Sequence, residues 1–457
     1  MSRLSREYEL KKLTITTQDG DVIDIKSLVV DFSYHESIES AFVKCDFTIL
    51  DSIDFNKGIF GGETIEVRMQ TESSKGKDFK MLFRIYKIGS IIKSERGQIY
   101  VLHCTSPEMY KNECNRIFGA FGPGNKSKDH DNLAKHIANK YLEADVNRVK
   151  SKYFEECSRI SFVSTSWRPT DVINFIADKV TRGNSSKSSK KQSGFLFFEN
   201  RNGFCFISID AMCEGALTEE AYIYVHVRQG TEPPEDGRYV IESIQYPDKA
   251  DHLRNMRMGT YKTVSLGVSL AQPTNSAITS NGSSNTKRSS PSGVKRGPRT
   301  LTFGQVFKKA STIEKKPPFD QPTEFQQSPE NVPPTRMKLR VLPGLSKQPA
   351  LGAAANNGTD SDNDALGVME YAAARFALLK AIQLTIVIPG NVGLAAGQLI
   401  QVSIPSSTEK GNKNPKVKQD KKFSGKYLIA GLTHIYKPSG ISTKLYLTRD
   451  SIKNPDY

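Results

Sequence analysis

Cysteine and tryptophan are scarce in this chain of 457 residues, which has six cysteines and a single tryptophan. The cysteines lie far apart and show neither CxxC nor CxH spacing, which argues against a zinc ribbon and against a disulfide-stapled scaffold. We expect reduced thiols in a protein that folds in the cytosol. The residues are Cys45, Cys104, Cys114, Cys157, Cys205 and Cys213.

Long apolar runs are missing as well. No window approaches the ~18 uninterrupted apolar residues of a membrane-spanning helix, and the N-terminus lacks the apolar run of a secretory signal. Hydrophobic residues make up 37% of the chain, below the usual ~45–50%. The length predicts about three domains, and the composition predicts that part of the chain builds no core.

Most of the net charge of +15 lies in three polar segments. Residues 181–193 carry +4, residues 271–364 carry +6 and residues 406–424 carry +4, so the remainder is nearly neutral. Such low-complexity composition is typical of loops and linkers. A nucleic-acid-binding domain would instead place basic residues on a folded face beside aromatic residues. The charge therefore favours solvated loops over a nucleic-acid groove, and leaves contact with an anionic partner surface open.

Between these segments, alternating apolar and polar residues predict strands. The period of two in 65–69, 384–388 and 400–404 is typical of a sheet with one buried face. Helical spacing occurs in fewer places. The expected helices are 131–144, 170–180 with Thr170 as the N-cap, and 367–382.

An internal repeat is the strongest signal in the sequence. Residues 62–69, GETIEVRM, align with residues 397–404, GQLIQVSI, and 47–50 upstream aligns with 384–387. Two further strand-like segments correspond downstream. Four matched strands in the same order favour a duplicated barrel, although any two small barrels with glycine-led strands would share much of this pattern. The positions that define the repeat are Gly62, Ile65, Val67, Gly397, Ile400 and Val402.

The two copies differ mainly by the lysine-rich segment 406–424, which is inserted in the second copy. Insertions of this kind belong at a loop tip, because long surface loops cost little extra closure entropy. A trimer of such a chain would present six similar barrels around one axis. That arrangement would let a three-fold body dock onto a six-fold tube.

The motifs of common active sites are missing from the sequence. It has no HExxH, GxSxG or Walker motif, and the glycine-rich 119–127 fits no phosphate loop because Pro123 removes a needed amide. The acidic 360–364 opens like a calcium loop but is followed by Ala365 instead of glycine. The histidines show no ligand spacing, and the adjacent acidic pairs do not resemble a glycosidase site. We expect no enzymatic activity, catalytic residue, metal site or cofactor.

The C-terminal part of the sequence resembles a known family. Residues 384–405 read LTIVIPGNVGLAAGQLIQVSIP, followed by SGKYLI at 424–429, His434, and LYL at 445–447 before Asp450. This block resembles the baseplate hub proteins of T-even-type contractile-tailed bacteriophages, which are related to VgrG-type spike hubs. The segment NMRMGTY from residue 255 and the N-terminal region resemble the same family more diffusely.

The resemblance implies a mainly β fold with α+β character: two similar tube-type antiparallel β-barrel domains, an α+β domain and a long linker or insertion. It also implies a homotrimeric pseudo-six-fold ring that joins the hexameric tail tube to the trimeric central spike and lets DNA pass on ejection. The expected divisions are 1–115 (first barrel), 116–235 (α+β), 236–270 (strands leading into the second barrel), 271–366 (linker or insertion) and 367–457 (second barrel).

The implied partners are further copies of the chain, the central spike protein, the tail tube and tube-initiator proteins, and the tape measure and baseplate wedge proteins. DNA would be met only in transit. The implied location is the tail baseplate of a virion, assembled in the host cytoplasm. The alternatives are the hub part of a type VI secretion-like spike, a tail-associated peptidoglycan hydrolase and a basic nucleic-acid binder.

Overall fold

A computed structural model of the chain describes residues 6–453 with some exceptions. The exceptions are 75, 77, 90, 95–96, 122–131, 159, 161, 184–191, 228–238, 247–251, 270–298, 319–335, 343–364, 406–419 and 421. The calcium-like 360–364 and most of the three basic segments therefore lie outside the described residues.

Alternation of buried and exposed side chains produces strands through most of the described chain. In the strand Thr64–Thr71, for example, Ile65, Val67 and Met69 are fully buried and the residues between them are not. The strands of the N-terminal part are β1 Tyr8–Thr16, β2 Val22–Asp24, β3 Val29–Ser37, β4 Lys44–Asp51, β5 Thr64–Thr71, β6 Phe79–Ile88, β7 Ile92–Ser94 and β8 Gly97–Thr105.

Fourteen further strands are described after β8. They are β9 Ile117–Phe121, β10 Phe162–Trp167, β11 Phe195–Asn200, β12 Gly203–Ser208, β13 Ile223–His226, β14 Tyr239–Ile241, β15 Ser243–Gln245, β16 Lys262–Ser269, β17 Arg299–Thr302, β18 Arg336–Leu342, β19 Ile382–Pro389, β20 Leu399–Ser403, β21 Gly425–Lys437 and β22 Gly440–Arg449.

The α-helices of the described residues are short. They are α1 Pro107–Cys114, α2 Leu133–Tyr141, α3 Pro169–Ala177, α4 Ile209–Cys213, α5 His252–Met258, α6 Phe303–Lys309 and α7 Ala365–Leu379. The three helices expected from the sequence correspond to α2, α3 and α7. Within the described ranges, none of the helices has the length and apolar content needed to cross a membrane.

The expected N-cap of α3 is wrong. The helix begins at Pro169, after Arg168, and Thr170 lies inside its first turn. The Thr170 hydroxyl and amide instead donate to Asn112 Oδ1, at 2.8 and 2.9 Å. Proline suits the first helical position because its fixed φ matches the helix and its missing N–H would have no helical partner there.

A sheet of fifteen strands dominates the molecule. Its main path is β14-β13-β20-β21-β3-β4-β8-β6-β5-β1-β2, with β15, β19 and β22 attached at β21 and β7 beside β8. All of its pairs are antiparallel except β13 with β14 and with β20. The expected fold class, mainly β with α+β, is confirmed. The division of this sheet into two separate barrels remains a prediction.

Two large hydrophobic cores are present among the described residues. One is formed by the inward side chains of the large sheet, such as Phe47, Val67 and Ile400. The other belongs to the middle of the chain, where α2 and α3 pack with the β11–β12 hairpin around residues such as Ile173 and Phe206. The strands β9 and β10 form a further two-stranded sheet beside this second core.

The domain divisions expected from the sequence stay a prediction, and strand pairings cross them at two places. β13, within 116–235, joins the large sheet. β16, within 236–270, instead forms a three-stranded sheet with β17 and β18, which lie within 271–366 together with α6. α6 begins with a capping box between Thr302 and Gln305 and packs against α7. Capping and apolar contacts thus order part of a range whose composition indicates only a linker.

Candidate functional site: the seam between two strand repeats

The two halves of the large sheet have the same strand order. In the N-terminal half, β5 pairs with β6, β6 with β8 and β8 with β4, all antiparallel. In the C-terminal half, β20 pairs with β21, β21 with β22 and β22 with β19, again all antiparallel. The order of the four strands along the chain is also the same in both. We call these two sets the N-terminal and the C-terminal repeat.

The glycines that lead β5 and β20 occupy equivalent positions. Gly62 and Gly397 have φ values of 95° and 88°, in the left-handed region that favours glycine. The Gly62 amide donates to the Ile85 carbonyl at 2.8 Å, and the Ile85 amide donates to the backbone carbonyl of Glu63 at 3.0 Å. In the C-terminal repeat, the Gly397 amide donates to the Ile429 carbonyl and the Ile429 amide donates to the Gln398 backbone carbonyl, both at 2.9 Å.

The acid or amide after each glycine closes the turn before its strand. Glu63 Oε1 accepts the Phe60 amide at 2.9 Å. Gln398 Oε1 accepts the Ala395 amide, likewise three residues upstream, at 3.2 Å. Because both carboxylate and carboxamide oxygens accept hydrogen bonds, the acid-or-amide position of the repeat has one local role in both copies.

The apolar positions of the repeat face the core of the large sheet. Ile65 lies opposite Phe83 and Ile400 opposite Tyr427. All four side chains that the sequence singled out, Ile65, Val67, Ile400 and Val402, are at most 2% exposed. They act as packing residues of equivalent strands.

The upstream strands require a shift of two residues from the alignment expected from the sequence. Cys45 pairs with Cys104, and Leu384 pairs with Leu447 at the equivalent place. Leu384 therefore corresponds to Cys45 rather than to Phe47, and Ile386 corresponds to Phe47. A slip of two residues keeps every side chain on the same face, so the apolar pattern alone does not reveal it.

The two repeats meet along an antiparallel seam between β3 and β21. Six pairs run from Gly431 opposite Ser37 to Tyr436 opposite Phe32. The Tyr436 ring stacks on Phe32 with centroids 4.5 Å apart, and its hydroxyl lies 3.0 Å from that of Tyr8. The seam thus joins the halves by backbone hydrogen bonds and by aromatic packing.

A histidine is buried in this seam without charge. His434 is fully buried, stacks against Tyr34 with centroids 5.9 Å apart, and has Nδ1 2.8 Å from Thr443 Oγ1. Burial lowers the pKa of His434 to about 3, because a charged imidazole loses its hydration there. At neutral pH the seam therefore contains a neutral imidazole.

Glu36 ties three parts of the chain together within the seam, where it lies opposite Leu432. Its Oε1 accepts the Tyr34 hydroxyl at 2.7 Å and the Arg201 amide at 2.6 Å, and its Oε2 accepts the Ala396 amide at 2.8 Å. Arg201 belongs to the turn of the β11–β12 hairpin, and Ala396 directly precedes Gly397. Burial raises the pKa of Glu36 to about 7, although these hydrogen bonds oppose the rise.

The turn of the β11–β12 hairpin reinforces this junction. Asn200 Nδ2 donates to the Ala396 carbonyl at 3.1 Å, and the Arg201 guanidinium donates to the carbonyls of Val392 and Asp78. The middle of the chain therefore contacts both repeats at one point.

A second buried cluster fixes the helix that leads into the C-terminal repeat. Arg375 on α7 is fully buried and lies 2.9 Å from Asp210 and 2.7 Å from Asp450. Its Nη2 also lies 3.1 Å from Cys213 Sγ. Burial opposes the charge of Arg375, but these neighbours keep its pKa well above its ordinary value. The cluster joins α7, α4 and the end of β22.

Sequence reasoning missed both Glu36 and Arg375. Glu36 follows Phe32 and Tyr34 at the inward positions of β3, where an acid breaks the apolar alternation. Arg375 is a charged residue within an otherwise alanine- and leucine-rich helix. A charge at a position that the pattern predicts to be buried is the signal that could have identified each of them.

Comparisons with known proteins find similarity in structure only. No protein-family model and no curated protein sequence matches this chain. A tail protein from Neisseria meningitidis is similar over 98% of this chain and 98% of its own length, with 12% identity and a TM-score of 0.51. The chain therefore shares the fold of a tail protein.

Two further solved structures are similar at lower scores. The 43 kDa tail protein of prophage MuSo2 from Shewanella oneidensis is similar over 98% of this chain and 100% of its own, with 9% identity and a TM-score of 0.48. A component of the type VI secretion system of Escherichia coli is similar over 97% of this chain and 76% of its own, with 8% identity and a TM-score of 0.40.

Proposed function

We propose that this chain is a structural baseplate hub of a contractile phage tail. Three copies form a ring with pseudo-six-fold symmetry, which joins the hexameric tail tube to the trimeric central spike. The observation that carries the proposal is the shared strand order of the N-terminal and C-terminal repeats. The fold shared with a tail protein supports it.

The physical reason lies in the matching of symmetries. A three-fold ring of chains with one kind of contact domain offers three equivalent sites to a tube with six subunits. A trimer whose chains each have two similar repeats offers six similar sites, so each tube subunit meets nearly the same surface. The lumen of the ring then passes DNA on ejection, and the assembly stands in the tail baseplate of the virion.

In this role the side chains act by packing and strand pairing, with no catalysis and no cofactor. Besides further copies of the chain, the partners are the central spike, the tube and tube-initiator proteins, and the tape measure and wedge proteins. The inward positions of the repeats, such as Ile65 and Ile400, occupy equivalent places in the core of the large sheet.

Native mass spectrometry of the purified full chain, with averaged electron micrographs, tests this proposal. We expect a species of three times the chain mass that forms a ring with six similar lobes. A strict monomer at high concentration that binds neither tube nor spike protein would argue strongly against a hub. Clearing of a cell-wall suspension by the pure protein would instead favour the peptidoglycan hydrolase.

A further inference from the structure

The N-terminal repeat has an uncovered strand edge, whereas the equivalent edge of the C-terminal repeat is covered by another strand. In the C-terminal repeat, the pairing of β20 with β21 ends at Leu428, and β3 then covers β21 from Gly431 to Tyr436. In the N-terminal repeat, the pairing of β5 with β6 ends at Arg84. Among the described residues, no strand continues along that side of β6 and β7.

The uncovered edge runs from the end of β6 into β7, and several apolar side chains of its described residues are exposed. Tyr86 is 48%, Ile91 40% and Ile92 68% exposed. On the covered counterpart, His434 at the place of Ile91 is fully buried, and Ile435 at the place of Ile92 is partly buried. An exposed edge with unpaired backbone groups and apolar side chains is a template for another strand.

The C-terminal repeat supplies a matching strand. β15 pairs with β19 as β3 pairs with β4: Ile244 lies opposite Ile386, and Phe32 lies opposite Phe47. Because Ile386 corresponds to Phe47, Ile244 corresponds to Phe32. In the described part of the chain, β15 pairs with β19 alone.

We propose that β15 of one copy pairs antiparallel with β7, the far part of this uncovered edge, in the next copy. This inference rests on the proposed trimeric hub and specifies its subunit contact. The contact repeats between copies the seam that β3 and β21 form within one copy, so the two kinds of seam alternate around the ring. A second copy is the occupant because the chain itself carries the counterpart of the strand that covers this edge in the other repeat.

The intramolecular seam fixes the register of the proposed contact. Ser33 lies opposite Ile435 in the seam, and Ser33 corresponds to Gln245. In the C-terminal repeat, Ile435 lies opposite Ser442, which is the second residue after Gly440 at the start of β22. In the N-terminal repeat, Ile92 lies opposite Ile99, which is the second residue after Gly97 at the start of the equivalent strand β8. Ile92 therefore corresponds to Ile435, and Gln245 of one copy lies opposite Ile92 of the next.

Paired cysteines test this register in the full chain. Directly opposite residues of an antiparallel pair have Cβ atoms about 4.5–5.5 Å apart, near the reach of a disulfide, whereas diagonal neighbours lie about 7–8 Å apart. The double variant I92C/Q245C, treated with a mild oxidant, is expected to give covalent dimers and trimers on a non-reducing gel.

The chain offers two matched controls for this experiment. S33C/I435C bridges the equivalent pair within one copy and is expected to give a cross-linked monomer. I92C/S243C moves one cysteine by two residues and is expected to cross-link much less. The unaltered chain, with its exposed Cys114, measures cross-linking that does not depend on the register.

A charge substitution gives a second readout. I92E would bring a charge into the proposed contact, and we expect the concentration at which the trimer half-dissociates to rise at least about tenfold. The circular dichroism spectrum of the variant should match that of the unaltered chain, because Ile92 is exposed in the single copy.

The possible outcomes separate the two proposals. A trimer that is cross-linked by I92C/Q245C and weakened by I92E supports the contact. A trimer that I92C/Q245C fails to cross-link, and that I92E leaves intact, overturns the contact but leaves the hub standing. A strict monomer at all concentrations overturns both.

Discussion

At the scale of single residues, Glu36 and His434 show that the seam contains groups whose charge is suppressed by burial. Glu36 has a pKa raised to about 7 and His434 a pKa lowered to about 3. Both lie where the repeats meet, so their titration bears on the stability of the junction.

The substitution E36Q is expected to change how stability depends on pH. Between the ordinary pKa of 4.5 and the folded value of about 7, the folded chain binds the Glu36 proton more tightly than the unfolded chain. The contribution of Glu36 is therefore complete below pH 4.5 and is lost as the pH rises through 7, by up to about 3 kcal/mol. Glutamine does not ionise, so the variant should lack this loss.

His434 acts with the opposite sign. Its pKa is about 3 in the folded chain and ordinarily 6.5, so its contribution is lost as the pH falls below 6.5. In E36Q, only His434 remains, so the free energy of unfolding from urea titrations should rise between about pH 3 and pH 6.5. In the unaltered chain, the opposite effects of Glu36 and His434 should offset each other between about pH 4.5 and pH 6.5. A difference between the variant and the unaltered chain that is the same at pH 5 and pH 8 would contradict the assignment.

The two repeat glycines provide a matched pair of substitutions. A Cβ at Gly397 would lie 2.7 Å from Leu217 Cδ1, whereas the nearest atom to one at Gly62 is 3.7 Å away. Both variants should lose about 1–2 kcal/mol through the left-handed backbone. G397A should lose about 1–3 kcal/mol more through overpacking. Urea denaturation checks the order, and equal losses would show that the core around Gly397 yields freely.

At the scale of elements, Arg375 fixes α7 to the rest of the molecule. The substitution R375L leaves Asp210 and Asp450 buried without their shared cation, and we expect a loss of about 3–5 kcal/mol in the free energy of unfolding. K380M, which breaks the partly exposed contact of Lys380 with Glu39 at 2.7 Å, is the control and should cost less than about 1 kcal/mol. Similar thermal midpoints for the two variants would contradict a pinning role.

The elements also show how far the sequence predicts this fold. Local alternation predicts β5, β19 and β20 and their burial, because the period of two follows from strand geometry. The same period hides the two-residue shift of β19, since either register buries the same face. The pairing of β3 with β21 joins residues about 400 positions apart, and no local pattern encodes it.

At the scale of the whole molecule, the segments that carry the net charge differ from the strands that form the proposed contact between copies. Three polar segments carry +14 of the net charge of +15. The proposed contact between copies depends instead on backbone hydrogen bonds and apolar side chains such as Ile92. Salt weakens exposed electrostatic contacts strongly and strand pairing only slightly.

We therefore expect salt to affect the two properties differently. From about 50 mM to about 500 mM NaCl, binding to duplex DNA of any sequence should fall steeply, whereas the trimer mass by light scattering should not change. Replacement of the six lysines in 406–424 by serine should weaken DNA binding and reduce its salt dependence, since fewer phosphate counterions are released. The trimer should persist in that variant. Trimers that dissociate at high salt, or with the lysines replaced, would show that the loops hold the copies together and would contradict a contact made by strands.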